Sequence, residues 1–118
     1  MKLHFDCVFY YVSDIERAVS FYGDVLGLKL VSRDVVARFD IDGVLFEIVP
    51  TPEKNALLRG GGNARLCLQV ENVEETLEDL RTKGVVTGKA QGKGTGLLGW
   101  FEDPDGNEIC LWQYLPRK

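Results

Sequence analysis

The sequence predicts an α+β fold built from two tandem βαβββ units, and three observations carry that expectation. The run Phe101 to Trp112, which holds Asp103-Pro104-Asp105-Gly106-Asn107, has a fainter copy in Phe39 to Val49 at an offset of 63. Cys7 to Val19 aligns with Arg65 to Leu77 at an offset of 58. Each half also reads as one strand, one capped helix and three further strands. A repeat of half the chain is not a solenoid period, which needs three or more copies to cover its core.

Residues His4 to Val12 are rich in aromatic and β-branched types without helical spacing, which suggests a first strand. Ser13-Asp14-Ile15-Glu16 reads as a capping box, with the serine hydroxyl accepting from the backbone at position 16 and the glutamate reaching back. Apolar residues at 15, 18, 19, 22, 25 and 26 form one helical face, and Gly27 supplies a left-handed stop. A helix from about Asp14 to Leu26 follows. Strands are expected over Leu28 to Arg33, Val36 to Ile41 and Val44 to Val49, with Asp42-Gly43 as a two-residue hairpin turn.

The first unit thus covers about residues 4–49 and the second about 64–114, joined by a linker over 50–63 that contains Pro50, Pro52 and Gly60-Gly61-Gly62. The second unit predicts a strand over Ala64 to Val70, a helix from Val73 to Lys83 capped by Asn72 with Glu75, and strands near Val85 to Thr87, Leu97 to Asp103 and Glu108 to Tyr114. The two offsets differ by five residues, so an insertion is expected in the second half. The Gly-rich stretch Gln91 to Gly96 is its natural place, and the overlapping run Gly88 to Gly94 would make a solvated hairpin loop or a mobile flap.

The bulk numbers bound the function. A chain of 118 residues is expected to be one domain, and 45% hydrophobic with 27% charged residues is ordinary globular composition. No apolar run approaches the roughly 20 residues of a membrane span, and Asp6 interrupts the opening apolar segment, so no membrane partner and cytoplasmic residence are expected. Three separated cysteines without a Cys-x-x-Cys pair argue against a disulfide framework. A net charge of −4 with scattered basic residues lacks the footprint of nucleic-acid binding.

The run Val12 to Tyr22, with Val25-Leu26-Gly27-Leu28 and Asp103-Pro104-Asp105-Gly106-Asn107, resembles the vicinal oxygen chelate superfamily over essentially the whole chain. That superfamily includes glyoxalase I, extradiol dioxygenases, fosfomycin-modifying enzymes and bleomycin-binding resistance proteins. The resemblance implies a curved mixed sheet folded into a cup, and a homodimer in which a partner chain can complete the cup. One fold hosts isomerases, dioxygenases and non-catalytic sequestering proteins, so it fixes architecture before activity.

In metal-dependent members the resemblance implies four cup positions that carry His, Glu, His and Glu. Here they hold Cys7, Glu47, Arg65 and Cys110, and only Glu47 matches. An arginine has no free lone pair and stays protonated, so Arg65 would repel a cation. Glu47 and Arg65 are expected to pair across the cup as a salt bridge, or to clamp a substrate anion. Cys7, Glu47 and Cys110 could make a soft zinc site, but free cysteine is more commonly a small buried filler, and Cys67 adds little. The expectation is no metal and no cofactor.

His4, the only histidine, lies three residues from Cys7 and should face away from the cup. Glu108 shares the parity of Cys110 but is expected as an exposed strand start. Phe9 and Tyr11 beside Cys7, Leu45 and Val49 beside Glu47, and Trp112 beside Cys110 give the cup an apolar, aromatic wall suited to a small molecule. The same side chains could simply fill the sheet's core. The run Gly88 to Gly94 lacks the spacing of a phosphate-binding loop, and no Ser-His-Asp set is present.

The reading that accounts for both the lost ligands and the aromatic wall is a metal-free protein that sequesters an aromatic or polycyclic small molecule through Cys7, Phe9, Tyr11, Glu47, Arg65, Cys110 and Trp112. The alternative is a lyase, isomerase or dioxygenase-like enzyme with an atypical metal set, or with Glu47 as base and Arg65 stabilising an oxyanion.

Overall fold

A computed structural model describes residues 1–51 and 64–116. The chain forms two compact units, Met1–Leu57 and Leu58–Lys118, one for each repeat. The expected linker lies almost wholly outside the described residues.

The first unit runs β1 (Cys7–Val12), α1 (Ile15–Val19), a π-helical segment (Ser20–Val25), β2 (Lys29–Arg33), β3 (Ala37–Ile41) and β4 (Val44–Pro50). Its sheet has the order β1-β4-β3-β2, with β1 parallel to β4 and the other pairs antiparallel. A parallel pair needs a long crossover, and the helix with β2 and β3 supplies it. Asp42 (φ 53°) and Gly43 (φ 85°) both take left-handed backbone, as the expected two-residue hairpin turn requires.

Helix α1 starts one residue later than the capping-box reading. Asp14 is the cap, its Oδ1 accepting from Arg17 N at 3.1 Å, while Ser13 Oγ accepts from the Arg17 guanidinium. Glu16 does not return to Ser13, because its carboxylate pairs with Arg33 on β2. Beyond Val19 the helix widens to π geometry, with Leu26 N donating to Phe21 O. The turn sets Phe21 and Tyr22 inward, where Tyr22 packs on Phe46 (centroids 5.1 Å) and Phe39 (6.2 Å).

The second unit runs β5 (Leu66–Gln69), α2 (Val73–Thr82), β6 (Gln91–Lys93), β7 (Gly96–Glu102) and β8 (Glu108–Tyr114), in the sheet order β5-β8-β7-β6. Asn72 caps α2 as expected, its Oδ1 accepting from Glu75 N at 3.0 Å. Val73, Leu77 and Leu80 are buried with Phe101, Ile109 and Leu111. A Cβ on Gly99 would lie 2.7 Å from Val73, so the missing side chain is what lets α2 approach β7.

One expectation for this half is corrected. Val85 to Thr87 is no strand but a single bridge from Thr87 to Phe101. The indole of Trp100 then lies over Gly88, where a Cβ would come within 2.1 Å of its Nε1, and regular pairing resumes only at Gln91. The Gly-rich stretch forms strand β6 and its turn into β7. The five extra residues lie in this hairpin, where they are expected: fourteen positions separate Thr87 from its partner Phe101, against nine between the equivalent Leu30 and Phe39.

In both sheets alternate residues face the helix and are buried. Val12, Ala37, Phe39, Phe46 and Ile48 do so in the first unit, and Phe101, Ile109 and Leu111 in the second. The opposite face of each sheet carries the candidate site.

Candidate functional site

The helix-remote face of the first sheet is set by register. In β1 and β4, Cys7 lies opposite Leu45, Phe9 opposite Glu47 and Tyr11 opposite Val49. In β3 and β4, Arg38 lies opposite Glu47 and Asp40 opposite Leu45. Alternation thus brings the expected Cys7, Phe9, Tyr11 and Glu47 onto one surface. Phe9 and Tyr11 meet edge to face at 5.4 Å and remain 47% and 40% exposed.

Glu47 is a half-buried charge on this face, with a side chain 16% exposed, and Arg38 Nε lies 3.6 Å from its Oε1. The same guanidinium donates to Asp34 Oδ2 at 3.2 Å and to Ser32 Oγ at 3.3 Å. Val36 N and this guanidinium together hold the Asp34 carboxyl below its ordinary pKa. Cys7 responds in the opposite sense. Burial, then its hydrogen bond to Glu47 and the charges of Glu47 and Asp6, raise the thiol from 9.0 to about 11, so it is protonated at neutral pH. Cys7 Sγ and one carboxylate oxygen each of Asp6 and Glu47 lie within 4.8 Å of one another.

On the second sheet, Cys67 lies opposite Cys110 and Gln69 opposite Trp112 across the parallel β5/β8 pair, while Trp100 lies opposite Cys110 and Leu98 opposite Trp112 across β7/β8. Trp112 meets Tyr114 edge to face at 5.8 Å. Arg65 Nη2 lies 3.2 Å from Glu108 Oε2, both side chains being less than one-third exposed. Burial raises the pKa of Cys67 and of Cys110; for Cys110 the nearby Cys67 and Glu108 add to it and Arg65 opposes it.

Within its own unit Glu47 faces Arg38, and within the other Arg65 pairs with Glu108. Glu108 is accordingly not an exposed strand start but the half-buried partner of Arg65. His4 is exposed and precedes β1, as expected of a residue outside the site. Sequence reading missed Arg38, Asp6 and Trp100. Alternation along β3 and β7 is the signal that places Arg38 and Trp100 on these faces.

Residues 4–111 match the profile of the Glyoxalase/Bleomycin resistance protein/Dioxygenase superfamily. The chain belongs to that superfamily. It is 26% identical to a probable lactoylglutathione lyase of Synechocystis sp., over 91% of this chain and 92% of that protein. It is 31% identical to the protein YraH of Bacillus subtilis, over 88% and 93%. Among solved structures it resembles TnmS3, an antibiotic-binding protein of a Streptomyces species, at 25% identity and a TM-score of 0.74, covering 96% of this chain and 97% of that one. The fosfomycin resistance protein FosX of Listeria monocytogenes shares the fold, with a TM-score of 0.78 at 18% identity over 96% and 94%.

Metal-dependent members of the superfamily imply an imidazole and carboxylate donor set, and the side chains here do not reproduce it. One of the four positions holds the guanidinium of Arg65, which cannot ligate, and Glu47 already faces the cation of Arg38. No helix among the described residues is long and apolar enough to cross a membrane.

Proposed function

We propose that this superfamily member binds a small aromatic or polycyclic molecule in a sequestering or resistance role, without the superfamily's imidazole and carboxylate metal centre and without a cofactor. The observation that carries the reading is the composition of the helix-remote faces. Phe9 and Tyr11 in one unit and Trp112 with Tyr114 in the other leave aromatic surface uncovered beside a few polar groups. Rings with a polar tip supply stacking area and an orienting hydrogen bond to a flat guest. Cys7, Glu47, Arg65 and Cys110 complete the set of contacts, and the likeness to the antibiotic-binding protein TnmS3 supports the same role.

The test uses the chain's two tryptophans, both on the helix-remote face of the second sheet. A panel of aromatic and polycyclic antibiotics should include compounds that quench Trp fluorescence saturably with one-to-one stoichiometry. Tyr11→Ala and Trp112→Leu should each weaken binding, the second read by calorimetry. No saturable ligand, or stoichiometric nickel, zinc, iron or manganese in chelator-free protein, would overturn the proposal.

A second reading rests on the relatives named as lactoylglutathione lyases and on the close approach of Asp6, Cys7 and Glu47. In it, Glu47 acts as general base and Arg65 stabilises developing negative charge. Lactoylglutathione lyase turnover by the purified chain, abolished by Glu47→Gln, would favour this reading over sequestration.

A further inference from the structure

Cys67 and Cys110 are opposite partners in the parallel β5/β8 pair, so their side chains leave neighbouring strands on the same face. Both are free thiols, Cys67 exposed and Cys110 half-buried. Charge on Cys67 disfavours ionisation of Cys110, as expected of neighbouring thiols. We propose that the two form a two-thiolate clip for a soft monovalent cation of the copper(I) class. The site uses the second unit alone, shares only Cys110 with the four superfamily positions, and stands independently of the sequestering role.

The spacing favours a bridging ion over a disulfide. Adjacent strands lie about 4.8 Å apart, and side chains on directly opposed residues start out roughly parallel. A disulfide wants its Cβ atoms about 3.8 Å apart, so the two strands would have to pinch together at this rung. Metal–thiolate bonds of about 2.3 Å, one from each side, span the rung with little movement of the backbone. Two sulfur donors without imidazole select soft ions over the harder divalent ones.

Charge is also suited to the product. Two neutral thiols and one monovalent cation give an anionic bis-thiolate and two released protons. The guanidinium of Arg65, which already favours the Cys110 thiolate, stands by to offset that charge. Trp100 is the cross-strand neighbour of Cys110, and Trp112 lies two residues along the same face, so both indoles flank the clip and report on it.

The folded full-length chain, reduced and kept anaerobic, would be titrated with copper(I) and read by Trp fluorescence and native mass spectrometry, with alkylation of each cysteine followed by peptide mapping. One equivalent should bind, quench the indoles and protect Cys67 and Cys110 while leaving Cys7 as reactive as before. Cys67→Ser and Cys110→Ser should each lose stoichiometric binding, Cys7→Ser should retain it, and binding should tighten as pH rises, because protons are released. Undiminished binding to Cys67→Ser overturns the clip, as does protection of Cys7 instead. Loss of two mass units with no ion retained overturns it in favour of a disulfide. Circular dichroism of each variant separates loss of the site from loss of the fold.

Discussion

Arg38 Nε and Glu47 Oε1 stand 3.6 Å apart on directly opposed residues of β3 and β4, so this half-buried carboxylate of the first sheet's helix-remote face is neutralised within its own unit. The pair is held by register as well as by charge. Arg38 is further tied to Asp34 and Ser32, which limits the entropy the pair must overcome.

Removing the cation should therefore expose the cost of burying the anion. Arg38→Met keeps the stem of the side chain and leaves Glu47 without its neighbour. It should destabilise the chain by about 1 to 3 kcal/mol in urea unfolding. Arg38→Met combined with Glu47→Gln should recover most of that loss, because no charge is then left half-buried. Two losses that simply add would show that the pair is not coupled.

Cys7 provides a pH signature of the same cluster. With its thiol raised to about 11, its alkylation rate should keep climbing well above pH 9, where an ordinary thiol has levelled off. Glu47→Gln removes both the acceptor and the charge that disfavour the thiolate, so the inflection should move down. The folded state holds this proton through a window in which the unfolded chain has lost it. Stability should accordingly fall as pH rises from 9.0 toward about 11, and Cys7→Ala should flatten that part of the profile.

What the sequence made legible, and what it did not, follows from the range of the forces involved. The Asp42-Gly43 turn, the Asn72 cap and the alternation of Phe9, Tyr11, Glu47, Cys110 and Trp112 are local, and each was readable. Choice of ion-pair partner is not local. Arg38 and Glu47 are joined by strand register, as are Arg65 and Glu108 near the β5/β8 pairing, and register is not visible in charge alone. The place of the five extra residues was legible in the glycines, but their strand pairing was not. Glycine looks like a loop in sequence, but Gly96 is buried in a strand because a tryptophan from the next strand occupies the space its side chain would need.

That close approach yields a direct test. A Cβ on Gly96 would lie 2.3 Å from the Trp112 ring and 2.5 Å from the Gln113 carbonyl oxygen. The ring can turn, but the carbonyl belongs to the neighbouring strand and cannot yield cheaply. Gly96→Ala should cost about 1 to 3 kcal/mol and change the Trp emission of the folded state, whereas alanine at Gly92, where nothing lies within 4 Å, should cost much less. Thermal unfolding of the two variants side by side decides it.

The Asp103-Pro104-Asp105-Gly106-Asn107 run is explained by its own hydrogen bonds. Asp103 Oδ1 accepts from the backbone nitrogens of Asp105 and Asn107 at 2.9 Å each, and Oδ2 accepts from Asn107 Nδ2 at 2.8 Å, with both residues buried. This knot sets the turn from β7 into β8 and thereby the register of Cys110 and Trp112. Asn107→Asp would face one buried carboxylate with another. It should lose about 2 to 4 kcal/mol at neutral pH and recover part of it in acid, because one of the two then carries a proton and donates. Asp103→Asn loses only the side-chain bond and should cost about 1 to 2 kcal/mol. Exchanging the two residues, Asp103→Asn with Asn107→Asp, restores one amide facing one carboxylate and should be more stable than Asn107→Asp alone. Additive losses in that double-mutant cycle would mean that the two side chains stabilise the turn independently.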